Sequence, residues 1–226
     1  MAAHIAARVI RATGSRGRLA AALGCSAVAV ALWLLRSRWA AGGLAFFLWN
    51  LFLAWIPWLL GLAAARARSR LALGLLLPAW LLFLPNAPYL VTDLIHLAHL
   101  ARLARHGPVP LWYDAIVFSA FAAAGCVLGV TSLSMVRERL ASEVREVWAE
   151  VVVAAAALLA GFGIYLGRFG RWNSWDAWLR PGELLEGAAA SVHPRALAFS
   201  LAFGLFLWTG YLVVERVRAA VAGHGE

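Results

Sequence analysis

The chain has no lysine; all 20 of its basic residues are arginine. Charge of either sign is sparse, at 14% of residues, against about 25% in an average soluble domain. Aspartate is rarer still, with only Asp93, Asp114 and Asp176. Cysteine is limited to Cys25 and Cys126, each inside an apolar stretch. That excludes a disulfide framework and a paired-cysteine metal site, and both read as small buried hydrophobes. No GxSxG, HExxH or other recognised catalytic pattern occurs, and there is no internal repeat, linker or second domain.

Hydrocarbon fills the space that charge leaves. Of 226 residues, 63% are hydrophobic, and the mean hydropathy is +0.78. Apolar blocks of about 18 or more residues, punctuated by Arg clusters, predict an all-α polytopic transmembrane bundle. Six spans are expected, near 19–35, 42–65, 71–84, 112–136, 147–167 and 196–214, with short amphipathic interfacial helices on the outer face. The organisation expected is a basic segment over 1–18, a transmembrane domain over 19–214 and a short tail over 215–226. The first span follows a basic segment, as a signal peptide would. Arg36 and Arg38 come directly after it without a small-residue cleavage site, so a retained helix is expected.

The third span is short: "LALGLLLPAWLLFL" makes about 21 Å of helix against a hydrocarbon core of about 30 Å. It must either continue past Pro85 at an angle or be packed among other helices, with Pro78 and Pro85 marking a kinked segment.

A formal net charge of +9 suggests a phosphate-rich partner. The arginines, however, flank the apolar spans, as topology signals and lipid contacts do, so membrane lipids are the expected partners and nucleic acid is not. With six spans both termini share a side. Twelve arginines fall on that side and eight on the other, which predicts cytoplasmic termini.

All three aspartates, and His96, His99, His106 and His193, fall on the predicted outer side. In "FLPNAPYLVTDLIHL", Ala87 precedes a proline and marks a boundary, Pro88 suits a first helical position, and Asn86 can cap free N–H groups. Asp93 and His96 are neighbours at i,i+3, with His99 one step further. A carboxylate beside an imidazole suits a general base, a proton relay or part of a metal site, and equally the wet face of an interfacial helix. Zinc wants three or four ligands, so Asp93, His96 and, weakly, His99 form an incomplete set. Asp114 in "LWYD" opens span four, where a carboxylate complements the helix dipole. In "GFGIYLGRFGRWNSWD", Arg168 and Arg171 with Asn173 and Asp176 suit a phosphate head group, or an anchored helix with an aromatic belt. Asn50 near the middle of span two reads as a cross-helix hydrogen bonder, and Pro57 as a kink.

Together "WNLFLAWIP", "FLPNAPYLVTDLIHL", "LWYD" and "GFGIYLGRFGRWNSWD" resemble the bacterial integral-membrane family known as domain of unknown function 1361, over roughly residues 40–214. The resemblance implies a bacterial inner-membrane location and a signature that includes Asn50, Pro57, Pro85, Asn86, Pro88, Asp93, His96, Asp114, Arg168, Arg171, Asn173 and Asp176. It implies no activity, cofactor or oligomeric state.

Three functions follow as expectations. One is an outer-face Asp/His/Asn/Arg cluster that binds a polar head group or ion, with Asn86, Arg168, Arg171 and Asn173 as ligand contacts. The second is a membrane-embedded enzyme on a lipid or lipid-linked substrate, with Asp93, His96, Asp114 and Asp176 as catalytic candidates. The third is a structural or assembly subunit.

Overall fold

The computed structural model describes residues 2–39, 44–103 and 109–223. His106 lies outside them, and the side chain of His99 is likewise outside the description. Among the described residues the chain is helical throughout, without strands: α1 (Ala2–Ser37), α2 (Phe46–Arg66), α3 (Arg70–Phe83), α4 (Asn86–Thr92), a 3-10 turn (Asp93–Ile95), α5 (His96–Leu103), α6 (Leu111–Ala141), α7 (Glu146–Gly170), α8 (Asp176–Leu179), α9 (Pro181–Ala190) and α10 (Pro194–Gly223). Six stretches are long and apolar enough to cross a membrane, so this is a multi-pass membrane protein.

The third of these runs from Arg70 to Ala98 and resolves the short span. Leu84 and Pro85 both keep right-handed helical dihedrals, so α3 passes into α4 with no reversal of the chain. The helix restarts at Asn86 rather than Pro88, and Asn86 serves a freed acceptor instead of free donors. Its Nδ2 donates to the Phe83 carbonyl at 3.0 Å; the usual ladder donor to that carbonyl, the Ala87 N–H, instead bonds the Leu84 carbonyl, which Pro88 cannot serve.

Helix α6 is the hub. Its apolar window is 67% buried, against 22–39% for the other five. Helices α1, α2, α4, α7 and α10 all pack against it. Small residues permit this closeness, because lipid tails supply no hydrophobic drive and helices must gain by backbone approach. A Cβ on Gly125 of α6 would sit 2.2 Å from the Ala87 carbonyl oxygen of α4, and one on Gly161 of α7 would sit 2.2 Å from the Ser200 carbonyl oxygen of α10. Polar groups between the helices are satisfied across them, with buried Trp208 Nε1 the exception among the described residues. Trp80 Nε1 donates to Ser132 Oγ, which donates to the carbonyl of Pro57, and Trp58 Nε1 donates to Thr131 Oγ1. Helix α2 stays continuous through Pro57.

The two ends of the bundle differ in charge chemistry. At the end carrying the termini, Arg18 and Arg218 share Glu138, Arg218 also meets Glu215, and Arg70 and Arg139 share Glu143. At the opposite end lie the starts of α2 and α6, the end of α3 with α4 and α5, and the 171–180 connection. The tryptophans of that connection each hold a different element: Trp172 lies under Gly187 of α9, Trp175 meets Trp49 of α2 at 6.4 Å, and Trp178 meets Phe83 of α3 at 5.9 Å.

Candidate functional site

At the end opposite the termini, the three aspartates of the sequence motifs fall into three separate ion pairs, and a cavity opens between α2, α4 and α7. Asp93 is buried to 1% exposure at the C-terminal edge of α4. Its Oδ1 accepts from Arg168 Nη2 of α7 and its Oδ2 from Asn50 Nδ2 of α2 at 2.9 Å. The expected cross-helix bond of Asn50 is therefore present, with a carboxylate as its partner. Arg168 also donates through Nε to Thr92 Oγ1 at 2.9 Å, lies 4.5 Å over the Tyr89 ring and meets His96 Nε2 at 3.3 Å. A guanidinium only donates, so that histidine nitrogen accepts. The segment read from sequence as a wet helix face is thus turned inward at Thr92 and Asp93, while His96 remains exposed.

Asp114 occupies the first turn of α6, as its dipole argument required, but it is also buried and paired in two-pronged fashion with buried Arg36 of α1. Asp176 accepts from the backbone N–H of Asn173 at 2.8 Å and from Arg180 Nη2 at 3.0 Å. Its carboxyl is held below the usual range, first by that backbone bond and then, against the opposing effect of burial, by Arg180. A lowered carboxyl stabilises the fold above its unfolded pKa and loses that contribution as pH falls toward the folded value. Amide-exchange protection over residues 171–180 should therefore hold between pH 5 and 8 and decline below about pH 4. Protection that changed between pH 5 and 8 would refute this link.

The three aspartates share no partner among the described residues. No three His, Cys, Asp or Glu side chains among those residues come together as metal ligands. Asp93 and His96 instead converge on Arg168. His193 is engaged elsewhere, with Nε2 at 3.1 Å from the Tyr165 hydroxyl and Nδ1 accepting from Ala196 N at 3.4 Å.

The cavity itself has a volume of about 330 Å³ and lies between α2, α4 and α7, roofed by residues 171–174 and Leu184 of α9. Trp49, Asn50, Asn86, Tyr89, Arg171, Trp172, Asn173 and Ser174 supply its polar and aromatic lining. Of the sequence-expected ligand contacts, Asn86, Arg171 and Asn173 line it. Arg168 does not; its charge is committed to Asp93. None of Asp93, His96, Asp114 and Asp176 is among the lining residues. Ser174, Tyr89 and Trp49 were not singled out from the sequence. Ser174 is tied in by Asn86 Nδ2, which donates to its Oγ at 2.9 Å, and by its own bond to the Leu82 carbonyl at 3.0 Å.

Arg171 differs from the paired arginines of this end, Arg36, Arg168 and Arg180. Its side chain has no hydrogen-bond or ion-pair partner among the described residues, as is also true of Arg38 and Arg195, but it lines the cavity and is the only non-glycine of the described residues with positive φ (58°). This left-handed position ends α7, where glycine or asparagine is usual. Holding a long side chain there costs about 1–2 kcal/mol, and such strain concentrates at functional positions.

A family model described as "Protein of unknown function (DUF1361)" matches residues 49–209. No similarity to a curated protein or to a solved structure reaches significance.

Proposed function

The chain belongs to the DUF1361 family of proteins of unknown function, and from that starting point we propose that it binds an anionic lipid head group in the α2/α4/α7 cavity. The observation that carries this reading is the unneutralised charge of Arg171. Arg36, Arg168 and Arg180 each have a buried aspartate as partner, so at this end of the bundle their fields are cancelled locally. Arg171 lines a cavity without a carboxylate in its lining. Arg171 is exposed at the mouth of this aromatic-walled cavity, and a guanidinium fork there suits a phosphate. The volume is at the small end of the range for ligand sites, about 300–1,000 Å³.

Binding without turnover is favoured over catalysis because the four acid–base candidates lie outside the cavity lining, three of them neutralised by arginine. The same reading puts the cavity on the outer face of a bacterial inner membrane with cytoplasmic termini, supported by the twelve-to-eight arginine bias.

Arg171→Gly tests it with little risk to folding, since glycine adopts the left-handed conformation freely. In phosphatidylcholine nanodiscs, Trp49 and Trp172 should report binding of an added anionic lipid by fluorescence. The variant should melt no lower than wild type and bind at least about tenfold more weakly, the worth of a hydrogen bond to a charged group. Equal binding by the variant would remove the proposal.

A further inference from the structure

Resting on the head-group reading, we infer that the ligand is a lipid whose phosphate diester carries a hydroxyl-bearing group, a polyol or sugar, rather than an amine. The argument starts from which ends of the lining amides are already used. Asn50 gives its Nδ2 to Asp93, and Asn86 gives its Nδ2 to both the Phe83 carbonyl and Ser174. Only the nitrogen of an amide can donate, so these bonds fix both side chains with Oδ1 as the group left over. Neither oxygen has a partner among the described residues, and neither is a buried orphan, so both remain reachable from the cavity. Two amide oxygens accept and do not donate. A phosphate diester likewise has no proton to give them. Both oxygens therefore favour a ligand whose neutral part supplies O–H or N–H donors.

Charge then decides between hydroxyl and ammonium. An ammonium head group would bring a second positive charge beside Arg171, and no carboxylate lines the cavity to receive it. A cation placed there unpaired is penalised by desolvation. Hydroxyls satisfy both oxygens without adding charge, and the flat indoles of Trp49 and Trp172 suit the C–H face of a polyol or sugar ring.

The depth profile points to an amphiphile. Along α7, Gly163 and Leu166 line the cavity below Arg171, with Gly163 about 10 Å beneath the helix end. On α2 the deeper residue is Leu53 below Asn50, and on the α3–α4 segment it is Leu82 below Asn86. All three walls turn from polar to apolar in the same direction, so a ligand with a polar head at Arg171 and an apolar stem below it matches every wall.

The test compares lipids of equal charge in phosphatidylcholine nanodiscs holding the full chain. Phosphatidylglycerol and phosphatidylmethanol are both monoanionic diesters, and only the former carries free hydroxyls. Phosphatidylglycerol should bind about tenfold tighter, the worth of two neutral hydrogen bonds, and phosphatidylethanolamine should be weaker than either. Asn86→Ala removes one of the two oxygens, so in that variant the affinity ratio of phosphatidylglycerol to phosphatidylmethanol should fall to about threefold, and an unchanged ratio of about tenfold would count against the inference. Equal affinity for the two anionic diesters, with both still dependent on Arg171, would overturn the hydroxyl inference and leave head-group binding intact. Failure of both to bind would overturn both readings. Preference for phosphatidylethanolamine would also overturn the inference. Water-soluble glycerol 3-phosphate separates the sources: displacing phosphatidylglycerol at equal concentration, it would assign the polyol phosphate to a free metabolite and overturn the lipid part. Displacing it only in large excess, it would support a lipid.

Discussion

Asp93→Ala should destabilise the protein by about 3–5 kcal/mol, the usual cost of breaking a buried ion pair from one side. The loss is not chiefly the attraction between the two charges. Removing the carboxylate leaves the Arg168 guanidinium, itself only 13% exposed, without its counter-charge, and strands Asn50 Nδ2 as a donor. Asp93→Asn keeps an acceptor for Asn50 but leaves Arg168 unpaired, so it should fall between wild type and Asp93→Ala. The double variant Asp93→Leu with Arg168→Met should recover most of the stability, because well-packed apolar replacements for both members of a buried pair are often neutral. Thr92 Oγ1 would still donate to the Tyr89 carbonyl at 2.6 Å. Thermal unfolding in detergent, followed by tryptophan fluorescence, distinguishes these cases. A double variant as unstable as Asp93→Ala would show that the pair contributes something other than mutual neutralisation.

Asp114→Ala is expected to cost a similar amount, about 3–5 kcal/mol, with a different spatial pattern. Arg36 and Asp114 are both buried, and their pair fastens the end of α1 to the start of α6. Helix α1 is also tied to α6 near its own middle by Arg18 and Glu138. It lies outside the family-matched residues 49–209, so these two pairs attach a helix additional to the matched part. Loss of the Asp114 carboxylate should therefore raise amide exchange over residues 30–37 first, while the α2/α4/α7 cavity keeps its lipid affinity. The Arg36→Met/Asp114→Leu double variant should restore protection. Uniform loosening of all six spans would contradict a local fastening role.

The span count and the segregation of Arg-rich ends were readable because every residue in hydrocarbon adds to the same transfer free energy, so length and composition suffice. Asn50 was readable as a cross-helix hydrogen bonder because a primary amide in hydrocarbon has few alternatives. Its partner was not readable. Helices α2 and α6 are apolar nearly all round, so their sequences do not mark which face turns inward. The pairing of Asp93 with Arg168, and of Asp114 with Arg36, depends on those rotations. A weak signal did exist, in that Arg36 ends the first span and Asp114 opens the fourth at the same expected depth.

The sequence by itself determined how many times this chain crosses the membrane and which polar residues share an end. Transfer energy sums along the chain without reference to neighbours. Only the tertiary structure decided which of the motif arginines, Arg168 or Arg171, is paired, because the close approaches at Gly125 and Gly161 set helix rotation and bring Asp93 to Arg168. Arg171 is left over by that choice, at a backbone position no composition or periodicity marks.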